Sequence, residues 1–224
     1  MNVKLISFSQ AYSDNEELQT AQDLIAFCAR VSNPSNQLNT ETSDKLIRYL
    51  VKHKHWSPLE MVSACIEIET TRDIARQILR HRSFSFQEFS QRYADPTKDL
   101  SFVLREARLQ DTKNRQNSIE IEPTIGGENL KEQWRWHQQN VINAAVDAYK
   151  WAVNNGIAKE QARVVLPEGN TVSRMYMNGT LRSWVHFIEL RSENGTQKEH
   201  RQIAVECAKV IAKVFPMAEE FITK

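Results

Sequence analysis

Between Met61 and Thr70 the chain carries a period of two, and directly afterwards it carries a period near 3.6. Val62, Ala64, Ile66 and Ile68 alternate with Ser63, Cys65, Glu67 and Glu69, which predicts a strand with one apolar and one wetter face. Thr71-Arg72-Asp73 then opens a short helix through Leu79. Its residues Ile74, Ala75, Ile78 and Leu79 are apolar, and Arg76, Gln77 and Arg80 fall on the opposite side. Gln77 and Arg80, three apart, are neighbours on that exposed face. A half-apolar strand joined directly to a half-apolar helix must bury both faces together, so the chain is constrained to a sheet covered by helices.

The rest of the chain fits that constraint. Met1 to Phe8 alternates as a short strand rather than running apolar like a signal peptide. Leu18, Ala21, Leu24, Ile25 and Cys28 predict a helix over Glu16 to Arg30, with a loop at Asn33-Pro34-Ser35-Asn36. A second helix begins near Thr42 and ends before the polar stretch 52–58. Residues 94–128 are the least regular part and read as a flexible excursion. A long helix follows from about Asn129 to Asn154, where Asn154-Asn155-Gly156 stops it. Lys159 to Val164 is helical, Thr171 to Met177 is a strand, and Leu181 to Leu190 is a helix. The last helix, Lys198 to Phe215, buries Ile203, Cys207, Val210, Ile211 and Val214. The expectation is a single α+β domain over 1–224: a small mixed or antiparallel sheet packed with several long helices.

Composition removes several function classes. With 29 Lys and Arg against 28 Asp and Glu, the net charge is +1, without the basic surplus expected of a nucleic-acid binder. No apolar run reaches the ~18 residues of a membrane span. Cys28, Cys65 and Cys207 are odd in number and far apart, which gives neither a disulfide framework nor metal spacing and fits a reducing cytoplasm. Core packing is the expectation for Cys65 and Cys207.

The segment after the short helix holds the chemistry. Arg80-His81-Arg82 could simply be cations at a helix C-terminus. The following Ser83-Phe84-Ser85-Phe86-Gln87-Glu88-Phe89-Ser90-Gln91-Arg92-Tyr93 mixes aromatics with every kind of hydrogen-bonding group. If that stretch is extended, Glu88, Ser90 and Arg92 share one face. Two guanidiniums, an imidazole, a hydroxyl and a carboxylate can together hold a phosphate, a sugar hydroxyl and a polar ring edge. Each flanking ring serves equally as core or as a stacking partner. His53 and His55 have no Cys, Asp or Glu at ligand spacing, so no metal is expected there.

Arg80-His81-Arg82, seven residues, then Ser90 resembles the signature of the flavin-dependent thymidylate synthases, and the match extends to Gln77 before it and Arg92-Tyr93 after it. Three further blocks are similar to that family and stand in its order: His55-Trp56-Ser57-Pro58-Leu59-Glu60, Ala162-Arg163-Val164-Val165-Leu166-Pro167, and Leu181-Arg182-Ser183-Trp184-Val185-His186-Phe187 through Arg191. With their spacing they cover most of residues 50–200.

The resemblance implies methylation of dUMP to dTMP, with methylenetetrahydrofolate as one-carbon donor and NADPH as reductant through bound FAD. It implies no cysteine nucleophile, and no cysteine lies in or beside the four blocks. By resemblance, dUMP contacts fall to Gln77, Arg80, Glu88, Ser90, Gln91, Arg92, Arg163 and Arg191, and Arg191 meets the uracil ring as the main catalytic side chain. Flavin contacts fall to Ser57, Arg80, His81, Arg82, Glu88, Thr180, Arg182 and His186, and His55 stands beside the folate and flavin rings. Where the family often has Asn, this chain has Thr180 and His186. His137 and His200 match no block and are expected as solvated helix residues. The resemblance further implies a homotetramer with active sites shared between subunits. Three rival classes use the same residues: a nucleotide- or nucleic-acid-binding module without catalysis, a catalytically silent relative, and a different flavoenzyme.

Overall fold

The computed structural model describes residues 1–12 and 17–223. Strand β1 spans Asn2–Phe8, and helix α1 spans Ala21–Ala29. The sequence pattern starts this helix at Glu16, which lies outside the described residues; the helix itself begins at Ala21 because Thr20 stops it there. The Thr20 hydroxyl accepts from the Asp23 N–H while the Asp23 carboxylate accepts from the Thr20 N–H, a reciprocal capping box. Helix α2 covers Ser43–Lys52, and a 3-10 turn over Ser57–Met61 leads into β2, Ser63–Thr71.

Helix α3 (Arg72–Ile78) follows β2 without a loop, as the period change requires. Strand β3 (Ser85–Glu88), α4 (Pro96–Asp99), the hairpin β4 (Arg108–Gln110) and β5 (Ser118–Glu120), and α5 (Ile125–Asn154) come next. Then come α6 (Lys159–Ala162), a 3-10 turn over Arg163–Val165, β6 (Val172–Thr180), α7 (Leu181–Ser192) and α8 (Lys198–Ile211). The last helix ends at Ile211 rather than Phe215, and a 3-10 turn over Pro216–Phe221 follows it.

Four strands form one antiparallel sheet in the order β1-β2-β6-β3. The alternation along β2 is realised: Ala64, Ile66 and Ile68 are buried, and across the ladder Met175 and Met177 of β6 are buried on the same face. Helices α1, α2, α3, α7 and α8 cover that face and supply Ile25, Ile47, Ile74, Ile78, Trp184, Phe187, Ile203 and Ile211 to one core. The Trp184 indole N–H finds its partner in the Ala64 carbonyl, 3.0 Å away, so the largest buried ring carries no unpaired donor. The opposite face is polar, and Glu67 and Glu69 there pair with Lys4, Tyr176 and Arg174.

Two expectations change. The strand in the signature segment stops at Glu88, and residues 90–94 turn back on themselves, with the Tyr93 and Ala94 N–H groups both donating to the Ser90 carbonyl. Glu88, Ser90 and Arg92 therefore do not share a strand face. The excursion at 94–128 holds α4, the β4–β5 hairpin and the first turn of α5, which Thr124 caps and which begins at Ile125, four residues before the expected start. Ion pairs from Lys198 to Glu106 and Glu120, and from Arg108 to Glu199, fasten the hairpin region to α8; pairs across such distances in sequence have no periodic signature.

Candidate active site

The site grows out of the join between α3 and β3. Ile74, Ala75 and Ile78 anchor α3 in the core, which turns Arg80 outward as its spacing predicts. Gln77, expected on the same exposed face, is half-buried because its amide pairs with Gln197 and with the buried His200 of α8. After the helix the chain is pinned by Phe84, whose ring packs edge-on to Trp184 at 4.8 Å and lies over Gly179 of β6. Any Cβ at position 179 would overlap that ring, so glycine is required for the close approach. The pinned segment presents His81 to α7, where its ring lies 5.0 Å from Phe187 and its Nε2 accepts the Arg191 Nε–H at 2.8 Å.

Electrostatics at this junction are unusual. Burial, and then the Arg191 charge, push the His81 pKa down to about 4, so at neutral pH the ring is uncharged and can accept. The Arg191 pKa is itself lowered, by burial first and by Arg80 second. Arg191 forms no ion pair among the described residues, neither with Glu189 nor with Glu193. His200, expected to be solvated, is 0 % exposed and belongs to this same cluster. Its position on α8 explains why: it stands three, four and seven residues before Ile203, Ala204 and Cys207, on the buried stripe. Its ring centroid lies 6.3 Å from that of His81, and its Nδ1 lies 3.3 Å from the Gln77 carbonyl oxygen. His137, by contrast, is exposed as expected.

A second cluster gathers at the far end of β3. The Glu88 carboxylate accepts from the Ser173 hydroxyl at 2.7 Å and lies 3.7 Å from the Arg72 guanidinium. The Ser90 hydroxyl accepts from the Arg92 N–H, and Gln91 is only 4 % exposed, with its side-chain nitrogen lacking any partner among the described residues. Arg92 pairs with Glu160 of α6 at 3.4 Å, and Arg163 donates to the Glu160 carbonyl, which draws the Arg163 block beside the signature segment. Ser173 and Arg72 were not among the expected residues, and neither stands in a recognisable block.

The third group lies at the start of α7. Thr180 is the helix N-cap and accepts from the Ser183 N–H, a backbone duty beside any ligand contact. His186 stacks edge-on against Trp56 at 4.5 Å, and Arg182 pairs with Glu60, which joins the 55–60 block to the α7 block. His55 and Ser57 are exposed on that connection. Arg80 and Arg82 are exposed guanidiniums without an ion-pair partner among the described residues. That donor set suits a dinucleotide: free guanidiniums for a diphosphate, with a Trp56–His186 edge for a flat ring system.

Among the described residues, no hydrogen bond or ion pair joins the Arg191 cluster directly to the Glu88 cluster. A cavity of about 630 Å³ runs between residues 104–107 and Glu128, Lys131 and Arg135, and no expected site residue lines it. Among the described residues, no group of His, Cys, Asp and Glu is placed to hold a metal ion, and no helix is long and apolar enough to cross a membrane.

Comparison with known proteins places this arrangement. The family described as "Thymidylate synthase complementing protein" matches residues 15–217. The probable flavin-dependent thymidylate synthase of Paramecium bursaria Chlorella virus 1 is 45% identical over 216 residues, 96% of each chain. The flavin-dependent thymidylate synthase of Synechocystis sp. is 46% identical over 218 residues, again 96% of each. Among solved structures, the UMP/dUMP methylase PolB from Streptomyces cacaoi bound with 5-Br dUMP superposes with a TM-score of 0.78 at 24% identity, covering 98% of this chain and 93% of that one.

Proposed function

The chain belongs to the thymidylate synthase complementing protein family, the flavin-dependent thymidylate synthases, and from that premise we propose that it methylates dUMP to dTMP with methylenetetrahydrofolate as donor and NADPH as reductant. FAD is the flavin, the enzyme is cytoplasmic, and no cysteine acts as nucleophile. In the reaction the C5–H bond of the uracil ring breaks and its hydrogen leaves as a proton. C5 bonds to the donated methylene carbon as that carbon's bonds to the two folate nitrogens break, tetrahydrofolate leaves, and one hydride equivalent completes the methyl group. Bound flavin supplies the passage of reducing equivalents from NADPH.

One observation carries this proposal: a half-buried Arg191 guanidinium with no carboxylate partner among the described residues, oriented by a neutral histidine. An uncompensated cation in such a place is stabilised when an anion arrives. Placed against the uracil ring, it stabilises the negative charge that develops as C5 attacks an electrophile. Arg80, Arg92 and Arg163 serve the phosphate, Glu88 and Ser90 the sugar, and Gln77 and Gln91 the remaining polar edges of dUMP. Arg80, His81, Arg82, Glu88, Ser57, Thr180, Arg182 and His186 hold FAD, with His55 beside the reacting rings. The three thiols suit a mechanism that does not use them: burial raises the pKa of Cys28, Cys65 and Cys207, and a thiol kept protonated is a poor nucleophile.

The division of these residues into clusters supports a homotetramer with shared sites, in which a second subunit completes what one chain leaves apart. The test is release of the C5 hydrogen from labelled dUMP with methylenetetrahydrofolate and NADPH, with and without FAD. Flavin-dependent release yielding labelled dTMP is the expected result; no release from folded, flavin-loaded protein overturns the proposal.

A further inference from the structure

Beside Arg191 runs a row of side chains whose hydrogen-bond polarity can be deduced from one end to the other. It starts at Glu199 on α8, which Arg105 approaches at 3.2 Å and Arg108 at 2.5 Å. Burial opposes the Glu199 charge, but hydrogen bonds from Arg108 and Gln197 and the nearby Arg105 outweigh it and lower the pKa. An ionised carboxylate can only accept. Gln197 must therefore turn its NH2 group toward Glu199, at 3.0 Å, which leaves its carbonyl oxygen to accept from the Gln77 NH2 group at 2.8 Å. The Gln77 carbonyl oxygen then faces Nδ1 of His200 at 3.3 Å, and because a carbonyl only accepts, His200 must carry its proton on Nδ1. Its Nε2 is left as a buried acceptor without a partner among the described residues.

We propose that His200, Gln197 and Glu199 are positioning residues that lock the side-chain amide of Gln77 in one orientation for nucleotide binding. This rests on Gln77 being a dUMP contact. None of the three need touch substrate. A primary amide offers one donor and one acceptor end of nearly equal shape, so an unrestrained Gln77 presents either end to a ligand. With one N–H committed to Gln197 and one carbonyl lone pair to His200, its free N–H and free lone pair occupy fixed places. Affinity then rises because the correct arrangement exists before the nucleotide arrives. Glu199 sets the direction of the whole row, since it alone has no donor to offer. The Arg105 and Arg108 pairs on its far side thereby reach the nucleotide through two intervening amides.

The test is equilibrium binding of dUMP to the flavin-loaded full chain, alongside thermal unfolding, for wild type, His200→Leu, His200→Asn, Gln77→Leu and the double variant Gln77→Leu/His200→Leu. His200→Leu leaves the Gln77 carbonyl unpaired and is expected to weaken dUMP about tenfold, whereas His200→Asn, whose amide N–H can replace Nδ1–H, stays within about threefold. With Leu at position 77, removing His200 is expected to change affinity no further, because the two act as one unit. A merely structural His200 would give additive losses, or a lowered Tm with wild-type affinity, and either result overturns the proposal. If His200→Leu does not fold, Gln197→Met removes the other partner at a half-buried position, and the same non-additivity with Gln77→Leu decides. Wild-type protein that fails to bind dUMP overturns the functional reading itself; wild-type binding with an unaffected His200→Leu overturns the positioning proposal alone.

Discussion

Arg191 donates its Nε–H to Nε2 of His81 across 2.8 Å, an arrangement in which only the guanidinium can be charged. Protonation of His81 would put a second cation and a second donor where an acceptor is needed, and the histidine pKa of about 4 keeps that from happening near neutrality. Arg191 is thus a charge held in direction as well as in place. Arg191→Ala is expected to lower turnover by about 10²–10³-fold, the usual scale for losing a donor aimed at developing charge. Arg191→Lys keeps the charge but has no Nε–H for His81 and should recover no more than about a tenth of the activity. Hydrogen release from C5 of labelled dUMP measures both; near-normal turnover in the alanine variant would remove Arg191 from the mechanism.

The two depressed histidines make a prediction about acid. His81 titrates at about 4 and His200 at about 3, each lowered mainly by burial, whereas an unfolded histidine titrates near 6.5. Between about 6.5 and these values the unfolded chain binds protons that the native protein does not, so stability is complete above that window and falls as pH drops through it. Arg191 faces both rings, and its cation works against protonation of either one. Tm should decline from pH 7 to pH 5 in the wild type, and less steeply in His200→Asn. Equal slopes in the two proteins would place the acid sensitivity elsewhere.

Gly179 and Phe84 tie the sheet to the signature segment. Gly179→Ala drives a methyl group into the Phe84 ring, and overpacking of this kind costs about 1–3 kcal/mol. The denaturant midpoint should fall accordingly, with flavin retention falling too because Phe84 fixes the turn that carries Arg80, His81 and Arg82. A variant with wild-type midpoint would mean the ring has somewhere else to go.

Simultaneous replacement Cys28→Ala, Cys65→Ser and Cys207→Ala should leave turnover within about threefold of wild type, since thiols with raised pKa, two half-buried and Cys207 fully buried, are poor nucleophiles. Stability should drop slightly, because Cys207 is fully buried and its replacement by Ala leaves a small void. Loss of hydrogen release in a folded triple variant would return a cysteine to the mechanism.

What the sequence disclosed follows from what local patterns can encode. The strand β2, the helix α3 and the exposed placement of Arg80 follow directly from a change of period, because alternation and 3.6-residue recurrence are local. The four-residue β3 is hidden because its apolar Phe86, and Phe84 just before it, sit in a stretch equally suited to a binding loop. His200 reads as solvated in the sequence, since a polar residue in the first turn of a helix looks like an exposed helix end until Gln77 arrives from more than a hundred residues away. The residues that organise the site at long range, Ser173 for Glu88 and Gln197 for Gln77, carry no motif, because their partners exist only in the folded chain.

The strand order β1-β2-β6-β3 has a consequence for how the molecule comes into being. Strand β6 occupies an interior position yet is the last of the four to be synthesised, and it is the ladder neighbour of both β2 and β3. Until about residue 180 has left the ribosome, β3 has no neighbour, Phe84 has no glycine to rest on, and Glu88 has no serine to hold it. The signature segment is therefore assembled by the insertion of a late strand rather than by growth outward from an early hairpin. Such late, distant closure makes for slow folding and a nascent chain that carries an open sheet edge for most of its synthesis.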